Sequence, residues 1–183
     1  MTNPSPDIRR ASPADKAAVD HVLQASYGAL LKPDYTPGTL AEVLPLITKA
    51  KPQLLTSGTY YIAELDGQAA AVGGWTATVP MRDEAVPGQA HIRHVACHPK
   101  HTGQGVSRAL METILNDIRA AGLTEIMCYS TLTAEGFYAR LGFERQRAFD
   151  LMLTETVALP SIVMRRRAKT CRAGAVSRSD RTS

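Results

Sequence analysis

The sequence predicts a single α/β domain with a mixed central sheet flanked by helices. Strand-like apolar segments alternate with amphipathic helical segments along most of the chain. Asp66-Gly67 joins two apolar runs in the manner of a β-hairpin turn. Residues 90–97 form an apolar strand pattern that passes through a glycine loop directly into a helix. The 183-residue length suits one domain, and no internal repeat or linker divides it.

The first third of the chain predicts one strand followed by helices. Residues 8–11 form a short strand pattern, and Ser12 with Asp15 three residues later is typical of a helix start that runs to about Tyr27. Four prolines interrupt the following region: Pro33, Pro37, Pro45 and Pro52. Since proline breaks a helix interior, we expect only short helical pieces there, at 39–44 and 46–50.

The remaining segments complete the predicted sheet. The hairpin strands cover 59–65 and 68–75, and the strand at 90–97 leads to a helix that Gly122 ends after Ala121. We expect the later elements to be a strand at 123–129, a helix at 133–141, a strand at 143–147 and apolar segments at 150–153 and 162–164. Strict alternation along 90–97 places His91, Arg93, Val95 and Cys97 on one face and His94 on the other.

The glycine loop after residue 97 is the most informative feature of the chain. Gly103 and Gly105 permit a tight turn and a close backbone approach to a ligand. The helix that follows has an apolar face, formed by Val106, Leu110, Ile114 and Ile118. Because the first N–H groups of a helix are unpaired, this arrangement predicts an anion site, although a glycine pair alone also occurs in ordinary turns.

A second motif makes a family resemblance specific. Phe137-Tyr138-Ala139-Arg140-Leu141-Gly142-Phe143 ends a short helix and begins a strand. Together with the glycine loop, it resembles the GNAT superfamily of acetyl-CoA-dependent N-acyltransferases, over about residues 7–165. The family pattern places Arg or Gln, then Gly, then Gly or Ala in the loop. Gly105 matches, whereas Thr102 and Ser107 depart from that pattern.

The resemblance implies a GNAT-type fold whose fourth and fifth strands splay apart around acetyl-CoA. It assigns the pantetheine arm to Val95, Ala96 and Cys97. It assigns the pyrophosphate to the loop and helix start, namely Thr102, Gly103, Gln104, Gly105, Val106, Ser107 and Arg108. Thr102 cannot supply the charge-assisted bonds of the usual Arg. Lys100 and Arg108 are candidates to compensate, with a solvated surface position as the alternative for each.

The resemblance also implies direct attack of a primary amine on the thioester in a ternary complex. Tyr138 occupies the position of the phenol that protonates the departing thiolate. His91 occupies the position where several members carry a catalytic Glu, and imidazole is a suitable base near neutral pH. His91 is alternatively a polar residue on a strand with one wet face.

Acceptor choice in this family comes from the variable region after the first strand and from the loop before the fourth. Tyr27, Tyr35 and Trp75 are the candidate acceptor contacts, and the charged side chains there are Asp34, Glu42 and Arg82. An acidic residue would suit a cationic amine, and an aromatic one would wall the pocket or stack on a cation. The acceptor itself, a small molecule or a peptide amine, stays open, as does a homodimer.

Charge distribution, cysteine spacing and hydropathy limit the classes of function that the sequence can have. Seven basic residues and one acidic residue after position 164 give that segment a charge of +6, which leaves −2 for the rest of the +4 chain. We therefore expect no specific nucleic-acid binding, and a disordered basic tail over 168–183. Cys97, Cys128 and Cys171 have neither zinc nor disulfide spacing, so no metal site is expected. No apolar run predicts a membrane span or a signal peptide, and we expect a cytoplasmic protein.

Two alternatives to catalysis stay open at this stage. The departures at Thr102 and Ser107, with His91 in place of Glu, are compatible with a non-catalytic acyl-CoA-binding or regulatory module. A protein that binds polyanions through its basic tail is the other alternative, and it predicts loss of function when the chain is cut after Arg167.

Overall fold

A computed structural model describes residues 5–82 and 84–168 of the chain. Its seven strands are β1 (Asp7–Arg10), β2 (Tyr60–Leu65), β3 (Gln68–Thr76), β4 (Gln89–Cys97), β5 (Glu125–Thr131), β6 (Glu144–Met152) and β7 (Ala158–Arg167). Its helices are α1 (Lys16–Leu30), α2 (Pro37–Ile47), α3 (Pro52–Leu55), α4 (Val106–Ala120) and α5 (Glu135–Arg140). The predicted tail lies, apart from Ala168, outside the described residues.

The strands form one mixed sheet in the order β1-β2-β3-β4-β5-β7-β6. Strands β4 and β5 pair in parallel through the crossover helix α4, and the other neighbouring pairs are antiparallel. Asp66 and Gly67 both have positive φ, at 50° and 73°, and so form the predicted hairpin turn. This architecture confirms the predicted α/β fold with a mixed sheet.

Helices cover both faces of the sheet. On one face, Leu110 and Ile114 of α4 pack into the apolar cluster that contains Tyr61 and Ile126. On the other face, the buried side of α1, which includes Val22, packs against the alternate residues of the same strands. The two apolar cores hold the sheet between α1 and α4, and β4 and β5 lie side by side in the middle of the sheet.

The predicted helix break at Pro45 is wrong. Helix α2 continues through Pro45 to Ile47, and the predicted piece over 46–50 does not form. Pro45 lies in the last turn, where its missing N–H removes one intrahelical hydrogen bond. Leu40, Val43 and Ile47 form one buried stripe against a third apolar cluster, and this packing outweighs the loss.

Strand β6 is also longer than predicted. The predicted strand over 143–147 and the apolar segment over 150–153 are one strand that pairs with β7 along its length. Its side chains are mostly exposed, so the apolar alternation that marks a half-buried strand is weak there.

The predicted alternation along β4 is wrong because the strand contains a bulge. Gly74 pairs with Arg93 and Val72 pairs with Ala96, so His94 and Val95 together face one residue of β3. His94 adopts a left-handed φ of 45°. The extra residue inverts the side chains that follow, and Val95 and Cys97 therefore pack with Ile92 against the α4 core rather than alongside His91.

Candidate active site

A cavity opens where β4 and β5 separate. The two strands pair only from Gln89 to His91 and from Glu125 to Met127, whereas β5 stays paired with β7 along its whole length. Beyond these pairs lies a cavity of about 440 Å³, which we call the splay cavity. Because β5 no longer contacts that part of β4, the backbone of β4 presents hydrogen-bonding groups that β5 does not pair. The structure thus confirms the predicted splay.

The glycine loop and the start of α4 line one end of the splay cavity. Gly105 is the N-cap of α4 with a φ of 82°, and Gly103 has a φ of 76°. The first backbone bond within the helix runs from Ala109 N to Gly105 O, so the three preceding N–H groups have no intrahelical acceptor. A 15-residue helix therefore directs its positive end at the cavity.

The side chains of this loop differ in what they offer an anion. The Thr102 hydroxyl donates to Pro99 O at 2.8 Å, so it is engaged with the backbone. Arg108 lines the cavity and its Nε lies 3.4 Å from Glu112 Oε1. Lys100 is exposed and does not line the cavity. Of the two cations considered as substitutes for the missing Arg, the structure brings Arg108 to the site.

The structure brings together nearly all the predicted cofactor residues. The splay cavity is lined by Val95, Ala96, Cys97, Thr102, Gly103, Gly105, Val106, Ser107 and Arg108. Gln104 is the exception, since its side-chain amide donates to Lys100 O at 2.9 Å on the exposed side of the loop.

Tyr138 lies in the wall of the splay cavity opposite β4. It is buried, and its ring packs edge-on against Phe137 and Phe143. Its hydroxyl is within hydrogen-bonding reach of the Cys128 thiol. Burial, with this thiol beside it, holds the pKa of Tyr138 well above its usual value of 10, and burial raises the pKa of Cys128 to about 12. Both groups therefore keep their protons at neutral pH.

His91 lies outside the cavity. The residue is 3% exposed, and neither ring nitrogen has a hydrogen-bond partner within residues 5–82 and 84–168. Burial, and then the charge of Arg93, lower the pKa of His91 to about 4. The structure does not bring this predicted base to the splay cavity.

His94, and not the predicted His91, is the β4 histidine that lies at the cavity. It lies at the bulge, where it lines the splay cavity and a smaller adjoining cavity of about 200 Å³, which we call the side cavity. Burial, with Lys51 and Arg93 nearby, lowers the pKa of His94 to about 3, so its imidazole is neutral. The glycine pair at 73–74, opposite the bulge, was the sequence signal that could have located it.

The comparisons with known proteins agree with this geometry. Residues 56–145, which include the hairpin, the bulged strand, the glycine loop and Tyr138, match the family model of the acetyltransferase (GNAT) domain. This segment is a GNAT acetyltransferase domain. Of the elements that line the splay cavity, β4, the glycine loop, α4, β5 and α5 lie within the matched segment, whereas α1 precedes it.

The individual proteins that the chain resembles have low sequence identity to it. The chain is 26% identical over 120 residues to N-acetyltransferase 8F1 of Rattus norvegicus; the match spans 63% of this chain and about half, 53%, of that protein. A GCN5-related N-acetyltransferase from Rhodopseudomonas palustris superposes with a TM-score of 0.74 at 19% identity, covering 91% of this chain and 98% of that one.

A third relative has been solved with a ligand. The PaiA N-acetyltransferase from Thermoplasma acidophilum, in complex with coenzyme A, has a TM-score of 0.67 at 15% identity. The alignment covers 90% of this chain and 99% of that one. At these identities, the structural likenesses establish the fold of the GNAT domain.

Of the three predicted acceptor contacts, the GNAT domain brings one to a cavity. Tyr27 lines both cavities, and its hydroxyl lies 3.5 Å from Val95 O. The Tyr35 hydroxyl instead donates to Pro160 O and accepts from Leu132 N, both at 2.8 Å. Trp75 is buried in the α4 core and donates to Asp117 at 2.7 Å. These bonds give Tyr35 and Trp75 structural roles.

The charged candidates also lie elsewhere. Asp34 accepts a hydrogen bond from the Thr133 hydroxyl at 2.7 Å, and Arg82 lies 3.9 Å from Glu84. Asp34, Arg82 and Glu42 are all absent from the lining of the side cavity. The cations that do line it are Lys51 and Arg93, which the sequence did not single out as acceptor contacts.

Within 5–82 and 84–168, no three His, Cys, Asp or Glu side chains cluster in a way that could hold a metal ion. In the same ranges, no helix combines the length and the apolar character needed to cross a membrane. Cys97 and Cys128 are free thiols, and Cys171 lies outside the described residues.

Proposed function

We propose that this GNAT domain transfers the acetyl group of acetyl-CoA to a primary amine by direct attack within a ternary complex. The observation that carries the proposal is the splay cavity. It has unpaired helix N–H groups at one end, an unpaired edge of β4 along its side and a buried protonated phenol in its wall. These features suit, in turn, a pyrophosphate, an extended amide-containing arm and a thiolate leaving group.

Anion binding at the loop relies on the backbone. The N–H groups of Val106, Ser107 and Arg108 precede the first helical hydrogen bond, and the positive end of α4 adds to their field. The Arg108 guanidinium supplies a full charge at the same end. The engaged Thr102 hydroxyl therefore leaves a site that depends on amides and one guanidinium.

The pantetheine arm would pair with β4 as an extra strand does. Its amides would meet the peptide groups of Val95, Ala96 and Cys97 that β5 leaves unpaired. This places the thioester towards the junction of the two cavities, where β4 carries its bulge. A backbone N–H of this segment would polarise the thioester carbonyl.

Tyr138 would act at the end of the reaction. The amine forms a C–N bond to the acetyl carbon, the C–S bond breaks, and the Tyr138 hydroxyl donates its proton to the sulfur. The acetylated nitrogen releases one proton to solvent, and the Tyr138 phenolate regains one from solvent. A pKa held high by burial keeps the phenol protonated until the thiolate forms. We assign no proton transfer to His91, which is buried and does not line the splay cavity, and the acceptor would enter as the neutral amine.

Calorimetric titration with acetyl-CoA, run beside an assay of CoA release with a panel of primary amines, tests the proposal. Saturable binding with amine-dependent CoA release is the expected result. Binding of acetyl-CoA without CoA release in the presence of any amine would favour the non-catalytic acyl-CoA-binding module instead. Absence of binding at millimolar acetyl-CoA would contradict both the enzyme and the non-catalytic module.

A further inference from the structure

The side cavity adjoins the splay cavity, and its charged lining residues are all positive. Tyr27, Ile92, His94, Tyr129 and Thr131 line both cavities, so a molecule in the side cavity lies next to the junction where the thioester is proposed to sit. The side cavity is therefore the natural place for the acceptor. Its volume of about 200 Å³ is below that of typical drug-sized pockets and suits a small molecule.

Two half-buried cations line the side cavity without a carboxylate partner. The ion pairs found among the described residues include neither Lys51 nor Arg93. Arg93 Nη1 donates to the Thr76 hydroxyl at 2.9 Å, and Lys51 Nζ lies 4.0 Å from Met81 Sδ. Burial lowers the pKa of both cations, and Arg93 lowers that of Lys51 further. Two uncompensated positive charges in one recess favour an incoming anion.

One wall of the side cavity is aliphatic. It comes from α2, β6, β7 and the loop between these two strands, and it comprises Leu46, Ile47, Leu151, Leu153 and Leu159. No aspartate or glutamate is among the described residues that line it. A polyamine or another multiply charged cation would therefore meet positive charge without a counterion.

We infer that the acceptor is a small amine that carries its own carboxylate and an apolar side chain, as an apolar α-amino acid does. The carboxylate contacts Arg93 and Lys51, the apolar side chain packs on the leucine wall, and the amine faces the junction beside His94. The carboxylate and the amine of an α-amino acid are separated by one carbon, so one small recess accommodates both. This inference rests on the proposed acetyl transfer and names its substrate class.

Matched acceptors test the carboxylate directly. We expect kcat/KM for L-phenylalanine to exceed that for phenethylamine and for L-phenylalaninamide by at least about tenfold, which corresponds to one charge-assisted contact. Arg93→Gln and Lys51→Met should each reduce this ratio about tenfold while leaving acetyl-CoA affinity unchanged. Lys49→Met, which removes an exposed lysine two residues away, should leave the ratio unchanged.

A binding measurement separates this inference from the proposed function. N-acetyl-L-phenylalanine and N-phenethylacetamide differ only in the carboxylate, and calorimetry in the presence of CoA compares them without turnover. N-acetyl-L-phenylalanine should bind more tightly than N-phenethylacetamide, and both variants should weaken its binding. This result would support the inference even if no amine caused CoA release. Absence of CoA release would count against catalysis. Equal binding, or equal turnover of phenethylamine and L-phenylalanine, would overturn the inference and leave acetyl transfer intact. Preferential acetylation of a peptide with its carboxylate distant from the amine would overturn it as well.

Discussion

Gly73 of β3 lies against Val95 of β4 so closely that a β-carbon on Gly73 would be 2.7 Å from Val95 Cγ2. The contact exists because the bulge places His94 and Val95 together opposite this one residue. Val95 and Ile92 thereby pack on the same core, and His94 lies between the two cavities. A missing side chain on β3 thus permits the geometry of the candidate site on β4.

Gly73→Ala should destabilise the protein and weaken acetyl-CoA binding. The added methyl must displace Val95, and overpacking of this kind costs about 1–3 kcal/mol. Chemical denaturation and calorimetric titration measure the two effects. Gly28→Ala is the control: this glycine lies within α1 with open space around a built β-carbon, so the free energy of unfolding should rise by about 0.5–1 kcal/mol. Unchanged stability of Gly73→Ala would contradict the packing argument.

Gly105→Ala should weaken acetyl-CoA binding at least about tenfold, or about 1.4 kcal/mol. A left-handed φ of 82° also costs an alanine about 1–2 kcal/mol of folding stability. Gly122→Ala is a matched control, because Gly122 has a φ of 76°, has open space around it and lies just beyond the opposite end of α4. Both variants should lose similar stability in denaturant melts, and only the first should lose affinity. Equal affinities would remove the loop from the cofactor site.

Tyr138→Phe should lower kcat by about 10²–10⁴, the usual contribution of a general acid, with acetyl-CoA affinity unchanged. The phenyl ring keeps the contacts with Phe137 and Phe143, so the fold should persist. Steady-state kinetics with calorimetric binding measure the difference. Tyr61→Phe, on the α4 face and outside both cavities, should retain kcat. A Tyr138→Phe enzyme as active as the unaltered protein would exclude the acid role.

The protein should lose stability between pH 7 and pH 5, because His91 is held neutral in the folded state. Its pKa is about 4 when folded and 6.5 when unfolded, so the unfolded chain binds the extra proton in this window. The loss from His91 alone is roughly 2 kcal/mol at pH 5. His94, whose pKa of about 3 is also lowered by burial, adds a loss of roughly 2 kcal/mol in the same window.

His91→Leu provides the check on that assignment. It removes a buried ring with two unpaired nitrogens, so the free energy of unfolding at pH 7 should not fall, and the loss on acidification should shrink by about 2 kcal/mol. Urea melts at pH 7 and pH 5 measure both. The kcat of this variant should stay near that of the unaltered protein, and a drop of about a hundredfold or more would restore His91 as the base.

The sequence by itself determined the α/β fold, the hairpin and the loop before α4, each from local signals. The family resemblance indicated Tyr138, which lines the splay cavity. Asp66-Gly67 supplies the positive φ values of the turn, and the glycines before Val106 permit the chain to enter α4 from an extended strand. These signals act over a few residues, so neighbouring chain segments do not alter them.

The tertiary structure decided which polar side chains reach the cavities. The bulge at His94 inverts β4 because Gly73 on another strand leaves room for Val95, and this exchanges His91 for His94 at the site. Lys51 and Arg93 are 42 positions apart, and only the folding of the chain around β4 brings them to one recess. Alternation along a single strand cannot anticipate a bulge that depends on a neighbouring strand, nor can local pattern pair charges from distant segments.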